Sequence, residues 1–445
     1  MGIVKAVRGT RDLLPPETEL WKQVESVARG VFARYGFGEI RTPVFESTEL
    51  FVRGVGEETD VVSKEMYTWE DRGRAESDRG QSLTLRPENT AGVVRAYIEH
   101  KMDAAGDLKK LYYIGPQFRR ERPQRGRYRQ FWQIGAEVLG PASAGSESPL
   151  RDAEVLEMLA ALLDELGLPR ATEANGGKGW RLALNSVGST TDRPRYIAAL
   201  HEALQGVKAS MCEDCQRRAA TNPLRVLDCK VLEDQPIIEG LPKIADFLDE
   251  ASRAHFASVQ QALAACGVAY TVEPRLVRGL DYYTRTTFEF TLADGSGLGT
   301  QNALLGGGRY DGLSEMLGGP RAPGIGFAIG EDRLILTLQA MAEVLGESAA
   351  GSKMDAYVAP LRVEQNAAAL ALGRELRRSG LRVEVGDGSF RLKKSFEAAD
   401  KVARSMVLVG EDELASNIFA VKSFATGQQS KVAHQSLVDH LRKGL

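Results

Sequence analysis

Residues 111–140, LYYIGPQFRRERPQRGRYRQFWQIGAEVLG, restrict the fold more than any other stretch. Two runs rich in aromatic and β-branched residues, 111–118 and 130–138, flank a loop of charge and turn residues, the pattern of an antiparallel hairpin with a long tip. Side chains alternate along a strand. Phe131, Gln133, Gly135 and Glu137 therefore share one face, and Trp132, Ile134, Ala136 and Val138 the other. The second face is apolar and belongs on a core. The first shows a ring, an amide, a space left by glycine and a carboxylate, which reads as a pocket floor. The tip carries Arg119, Arg120, Arg122, Arg125, Arg127 and Arg129 against a single acid, Glu121. Planar guanidinium forks pair with phosphate oxygens two at a time, so the loop fits a polyanion. The plain alternative is a solvated basic loop; the polar strand face beside it favours a ligand.

At 445 residues the chain has room for about three domains, each with its own core. With 43% apolar and 26% charged residues it is an ordinary globular sequence. The net charge of −3 means that any nucleic-acid surface must come from local basic patches. The N-terminal stretch lacks the apolar region of a signal peptide, and no run of 18 apolar residues occurs, so a cytoplasmic protein without a membrane role is expected. Cys212, Cys215 and Cys229 form C-x2-C-x13-C, a spacing that invites zinc. A fourth ligand at close spacing is missing, because Cys266 lies far downstream and His255 has no partner histidine nearby. The expectation is therefore reduced structural thiols and no protein-bound metal.

A turn-rich lead-in, RGTRDLLPP at 8–16, precedes a helix expected over 17–35 and stopped by Gly36. A strand broken at Pro43 follows over 39–45, and charge and glycine over 52–81 suggest mobile surface loops. TLRPENTAG at 84–92 reads as a strand ending at Pro87 and running into a helix, which places Glu88, Asn89 and Thr90 at a strand-to-helix junction. Such junctions often hold binding groups, although capping of the helix by Asn89 or Thr90 explains them equally well. After an amphipathic helix over 150–166, the segment 171–179 reads as a boundary. Residues 171–272 then hold one strand and mostly helical sequence, an inserted subdomain.

Aromatic, glycine and charged residues concentrate again in LVRGLDYYTRTTFEF at 276–290, LLGGGRYDG at 304–312 and GIGFAIGEDRL at 324–334. The glycine run 306–308 would let backbone approach a ligand closely. Neither a dinucleotide fingerprint nor G-x-x-x-x-G-K-[ST] is present, so an ATP site here is not a P-loop. Beyond a Gly/Ser hinge at 346–352, strands and helices alternate in a compact α/β module with a mixed or largely parallel sheet.

Together these stretches resemble the class II aminoacyl-tRNA synthetases, and closely their histidyl family, over essentially the whole chain. TLRPENTAG, the hairpin and GIGFAIGEDRL are similar to class motifs, whereas LVRGLDYY and GGGRYDG resemble the far more specific histidyl signatures. Asn89 departs from a common glycine. Trp132 departs from the usual histidine or tyrosine, but it points to the core and no change of activity is expected.

The resemblance implies an α+β catalytic domain on a large antiparallel sheet (1–170 and 273–348), a mostly helical insertion (171–272) and a C-terminal α/β anticodon-binding domain (353–445). It implies a homodimer built through the first long helix and strand. It also implies ATP-dependent activation of L-histidine to histidyl-adenylate with Mg²⁺ on the phosphates, then transfer to the 3′ end of tRNA(His). Glu88, Asn89, Thr90 and Gln133 would hold the amino acid, Glu137 and Tyr283 would bracket its imidazole, and Tyr282 and Tyr310 would line its pocket. Phe131 would stack under adenine with Glu121 at its amino edge. Arg119 and Arg278, the catalytic pair, would face the histidine carboxylate and the α-phosphate, with Arg127 and Arg333 at the far phosphates. Arg122, Gln124 and Arg125 would meet the acceptor end of tRNA. A rival within the same resemblance is a histidine-binding regulatory subunit of ATP phosphoribosyltransferase. Such paralogues typically lack the C-terminal module and have eroded phosphate-facing arginines, both intact here.

Overall fold

The computed structural model describes residues 2–57, 59–71, 80–277, 280, 282–292, 302–345 and 353–443, with 342–345 as backbone only. The chain divides into two units, residues 1–348 and 349–445.

The first unit is built on an eight-stranded sheet. The expected hairpin lies toward one edge, as Lys109–Phe118 paired antiparallel with Gln130–Leu139. Gly324–Gly330, Ala303–Arg309, Thr284–Leu292 and Trp180–Ser186 follow, each antiparallel to its neighbour. A two-residue parallel strand closes each edge, Gly38–Glu39 and Thr271–Val272. Ile134, Ala136 and Val138 are buried in the core with Trp132 packed against it, as alternation requires. Helices Glu17–Arg34 and Pro149–Glu165 cover that face with Trp21, Val24, Phe32, Leu156 and Leu159. Gly36, at φ +78°, ends the first helix in the left-handed conformation that a side chain would resist.

Part of the stretch expected as surface loop is ordered. Tyr67–Asp71 and Phe45–Ser47 flank Gln81–Leu85 in a three-stranded antiparallel sheet, and Thr48–Val55 is a helix. Alternation in YTWED is masked by the surrounding acids, so the charge density there hid a strand. Residues 72–79 of that stretch lie outside the described residues. The segment 171–272 contributes in three ways. Trp180–Ser186 and Thr271–Val272 are strands of the large sheet, Glu250–Ala265 packs on Pro149–Glu165, and residues between 196 and 248 form an apolar cluster of their own.

The second unit has a five-stranded mixed sheet. Val383–Val385, Met354–Pro360 and Ala403–Val409 are parallel, whereas Ile418–Ser423 and Gln429–Ala433 are antiparallel. The last strand was not apparent from the polar sequence QSKVA.

Candidate active site

The inward face of the hairpin opens on a cavity of about 230 Å³. One group of lining side chains comprises Glu88, Thr90, Tyr113, Gln133, Tyr282, Tyr283 and Tyr310. The other comprises Arg119, Glu121, Arg127, Phe131, Glu289 and Arg333.

Glu137 lies fully buried behind the first group and does not itself line the cavity. Its Oε1 accepts from the Thr90 hydroxyl at 2.7 Å and from the Tyr113 hydroxyl at 3.5 Å, and its Oε2 accepts from the Tyr310 hydroxyl at 2.7 Å. Burial pushes its carboxyl up to about 8, against the opposing pull of the Thr90 and Tyr310 hydrogen bonds. Tyr282 packs between Tyr283, tilted against it with centroids 4.7 Å apart, and Tyr310, edge-on at 5.9 Å. Burial raises the phenols of Tyr113, Tyr282 and Tyr310 well above their ordinary range.

Glycines make this cluster possible. A Cβ at Gly135 would strike the Tyr113 ring, one at Gly324 the Tyr310 ring, one at Gly308 the Tyr283 ring, and one at Gly326 the Glu137 carboxylate. The space left by Gly135 is therefore filled by Tyr113 rather than held open for a ligand. Within the 306–308 run, Gly306 lines the cavity, whereas Gly307 and Gly308 clear backbone and a tyrosine. Tyr113 was not singled out in the sequence. Its position directly across from Gly135 in the hairpin register was the available signal.

At the strand-to-helix junction, the cap is supplied by neither Asn89 nor Thr90. Glu88 accepts from the backbone N–H groups of Thr90 and Ala91 at 2.8 and 3.0 Å, and its buried carboxyl is raised by desolvation. Asn89 does not line the cavity, and its Oδ1 accepts from the Thr42 hydroxyl. Gln133 Oε1 is buried with no partner among the described residues.

In the second group, Arg119 donates from Nε to the Pro87 carbonyl at 2.9 Å and lies 5.4 Å from the Phe131 ring centre. Glu121 pairs with Arg127 at 2.7 Å. Arg333 donates to the carbonyls of Gly126 and Ala303, tying the hairpin tip to the glycine-rich strand. Arg122, Gln124 and Arg125 are exposed at the tip. The lead-in, missed as a partner, braces this loop: Arg129 N–H donates to Gly9 O at 2.7 Å, and Arg11 lies 4.8 Å from the Tyr128 ring centre. Arg278 lies outside the described residues.

Arg309 of GGGRYDG is fully buried away from these groups. Its Nε donates to Asp152 at 3.1 Å, and the same carboxylate accepts from Thr286 and meets His255 Nε2 at 2.8 Å. Burial alone would raise the Asp152 carboxyl, but Arg309 and His255 hold it down at about 2. This signature arginine fastens a strand to two helices.

A family profile described as "Histidyl-tRNA synthetase" matches residues 9–334, and one described as "Anticodon binding domain" matches 355–444. The chain belongs to the histidyl-tRNA synthetase family. It is 66% identical to "Histidine--tRNA ligase" of Koribacter versatilis (strain Ellin345), over 99% of this chain and 96% of that protein. It is 53% identical to the Solibacter usitatus (strain Ellin6076) protein of the same name, over 99% of each. The crystal structure of apo S. aureus histidyl-tRNA synthetase matches with a TM-score of 0.78 and 35% identity, over 99% of this chain and all of that one.

Proposed function

We propose that the chain is a histidine–tRNA ligase of the cytoplasm, activating L-histidine with ATP and passing the histidyl group to the 3′ end of tRNA(His). The observation that carries this reading is one cavity lined by two chemistries, a tyrosine and carboxyl group on one side and an arginine group on the other. The amino acid belongs with the first. Glu88 and the unpartnered Oε1 of Gln133 accept from its ammonium. Tyr283 meets the imidazole, and Glu137 holds the Thr90 and Tyr310 hydroxyls and accepts an imidazole N–H once the entering ring displaces one of these hydroxyls from the buried carboxylate. ATP belongs with the second, its adenine on Phe131 and its phosphates toward Arg119, Arg127 and Arg333. The histidine carboxylate attacks the α-phosphorus in line, the bond to the β-phosphate oxygen breaks, and pyrophosphate leaves. Here the protein positions and neutralises charge, with Arg119 and Arg278 at the reacting phosphate. In a second step a terminal ribose hydroxyl of tRNA takes the histidyl group and AMP departs.

Mg²⁺ is a hard cation served by oxygen donors, and the Glu121 and Glu289 carboxylates on the phosphate side of the cavity fit it. Bound there, it would neutralise phosphate charge. The exposed Arg122, Gln124 and Arg125 suit the acceptor end, and residues 353–445 suit the anticodon, where unstacked bases can be read. A homodimer is supported by apolar surface near the first strand: Val44, Phe45 and Trp69 are exposed, with the two rings 6.1 Å apart. Among the described residues, no helix is long and apolar enough to cross a membrane.

The regulatory-subunit reading is less favoured. The full-length relatives are named as ligases, and the arginine-lined half of the cavity and the C-terminal module are both present. Charging of tRNA(His) with labelled histidine tests the proposal. Removal of residues 353–445 is expected to depress charging far more than histidine-dependent pyrophosphate exchange. A chain that binds histidine but never charges tRNA would overturn it.

A further inference from the structure

The fold supplies what the sequence spacing lacked. Cys212, Cys215, Cys229 and Asp234 bring three sulfurs and a carboxylate oxygen within 4.8 Å of one another, and all but Cys212 are buried. We propose that these four residues form a structural zinc site in the inserted segment.

Two of the separations match the edges of a tetrahedron, and all four ligand atoms lie within 4.8 Å of one another. With Zn–S near 2.3 Å and Zn–O near 2.0 Å, the edges of an ideal site are about 3.8 Å between sulfurs and about 3.5 Å from sulfur to oxygen. Cys212 Sγ and Cys229 Sγ are 3.9 Å apart, and Cys229 Sγ is 3.3 Å from Asp234 Oδ2. A disulfide would need the two sulfurs at about 2.05 Å. Three thiolates and one carboxylate suit a borderline-soft ion that imposes no geometry of its own, and a closed set of four protein ligands is the structural form.

The surroundings hold the ligands in place, as the neighbours of metal ligands commonly do. The Cys212 N–H donates to both Asp234 oxygens, to Oδ1 at 3.0 Å and to Oδ2 at 3.3 Å, and so holds the carboxylate against the sulfurs, with Oδ2 3.3 Å from Cys229 Sγ. The Val231 N–H donates to Cys229 Sγ at 3.4 Å, and the Gln235 amide ties the carbonyls of Cys229 and Val231 at 2.9 and 2.8 Å. As metal enters, the three thiol protons pass to solvent.

The site has a structural task. Cys212 and Cys215 open the helix Glu213–Thr221, Cys229 follows the turn Pro223–Val226, and Asp234 ends the turn Leu232–Asp234. These pieces are too short to be stable alone, and Cys215 and Cys229 sit within the apolar cluster they share. Arg225, within the stapled loop, donates to Asp60 at 3.1 Å, so the staple also fixes the segment against the rest of the unit.

The test uses the full chain, purified under reducing conditions without a metal-affinity column. Elemental analysis is expected to find one zinc per chain. After removal with a chelator, added Co²⁺ is expected to give the intense visible bands of tetrahedral thiolate cobalt, lost in Asp234→Ala and Cys215→Ser. Maleimide labelling gives a second readout that needs no variant. The exposed Cys266 reacts in either state, whereas Cys212, Cys215 and Cys229 react only after chelation. Absence of stoichiometric zinc with no tetrahedral cobalt spectrum, labelling of all thiols regardless of metal, or a Cys212–Cys229 disulfide in the purified protein would each overturn the proposal.

Discussion

Replacing Glu137 with glutamine keeps the shape of the side chain and removes its charge. In the folded protein burial pushes this carboxyl up to about 8. In the unfolded chain it titrates near about 4.3. The folded state therefore binds more protons than the unfolded state between these values, and its stability falls as pH rises through that window. Between pH 6 and pH 8 the loss from this one group is about 2 kcal/mol, from 1.36 kcal/mol for each unit of pKa difference. A unit of this size has an unfolding entropy of roughly 0.7 kcal/mol/K, so the loss corresponds to about 3 °C in Tm. The variant lacks this term and keeps all others, among them buried Glu331, whose carboxyl burial pushes up to about 9. Wild type and Glu137→Gln followed by thermal unfolding from pH 6 to 8 are expected to diverge by that amount, with the wild type falling faster. Saturating histidine is expected to flatten the wild-type curve alone, because an imidazole N–H donated to Glu137 favours its ionised form. Parallel curves, or histidine stabilising both proteins equally at every pH, would refute the placement of Glu137 in histidine recognition.

Gly326→Ala puts a methyl group where the Glu137 carboxylate lies. Steady-state exchange kinetics are expected to show about a 10²-fold loss of histidine-dependent activity, as for a group misplaced by about 1 Å, with the KM for ATP little changed. Arg309→Met leaves the Asp152 carboxylate buried beside His255 without its main counter-charge, so denaturant unfolding is expected to show a loss of about 3–5 kcal/mol; a change under about 1 kcal/mol, near a surface pair, would contradict this. Arg278→Lys is expected to keep histidine affinity by equilibrium dialysis while slowing adenylate formation about 10²-fold or more, the effect of losing an oriented donor to developing charge.

The hairpin was legible because its alternation is strict and its apolar face unbroken, and Ile134, Ala136 and Val138 are buried as alternation demands. Four of the five strands of the C-terminal module stood out as short apolar runs between helices, whereas the polar QSKVA did not. Two-residue edge strands carry no period, so Thr271–Val272 could not be seen, and the strand expected over 39–45 is present only at its ends, as Gly38–Glu39 and Phe45–Ser47. The site was legible in its residue types more than in its contacts. Tyr283, Tyr310, Arg119 and Phe131 line one cavity, yet Asn89 turns to Thr42 and Glu137 stands behind its neighbours. Whether a glycine leaves room for a ligand or for a neighbouring ring depends on the strand beside it. Asp234 was hidden differently: a carboxylate five residues beyond Cys229 becomes a possible ligand only once a turn folds it back on the sulfurs.

ATP–pyrophosphate exchange without tRNA, run with each standard amino acid in turn, examines directly whether this cavity activates histidine. Exchange is expected with histidine alone. Other amino acids are expected to be rejected by roughly 10⁴–10⁵-fold, because they leave buried polar groups of the cavity unpaired. No exchange with histidine, or equal exchange with a second amino acid, would contradict the account.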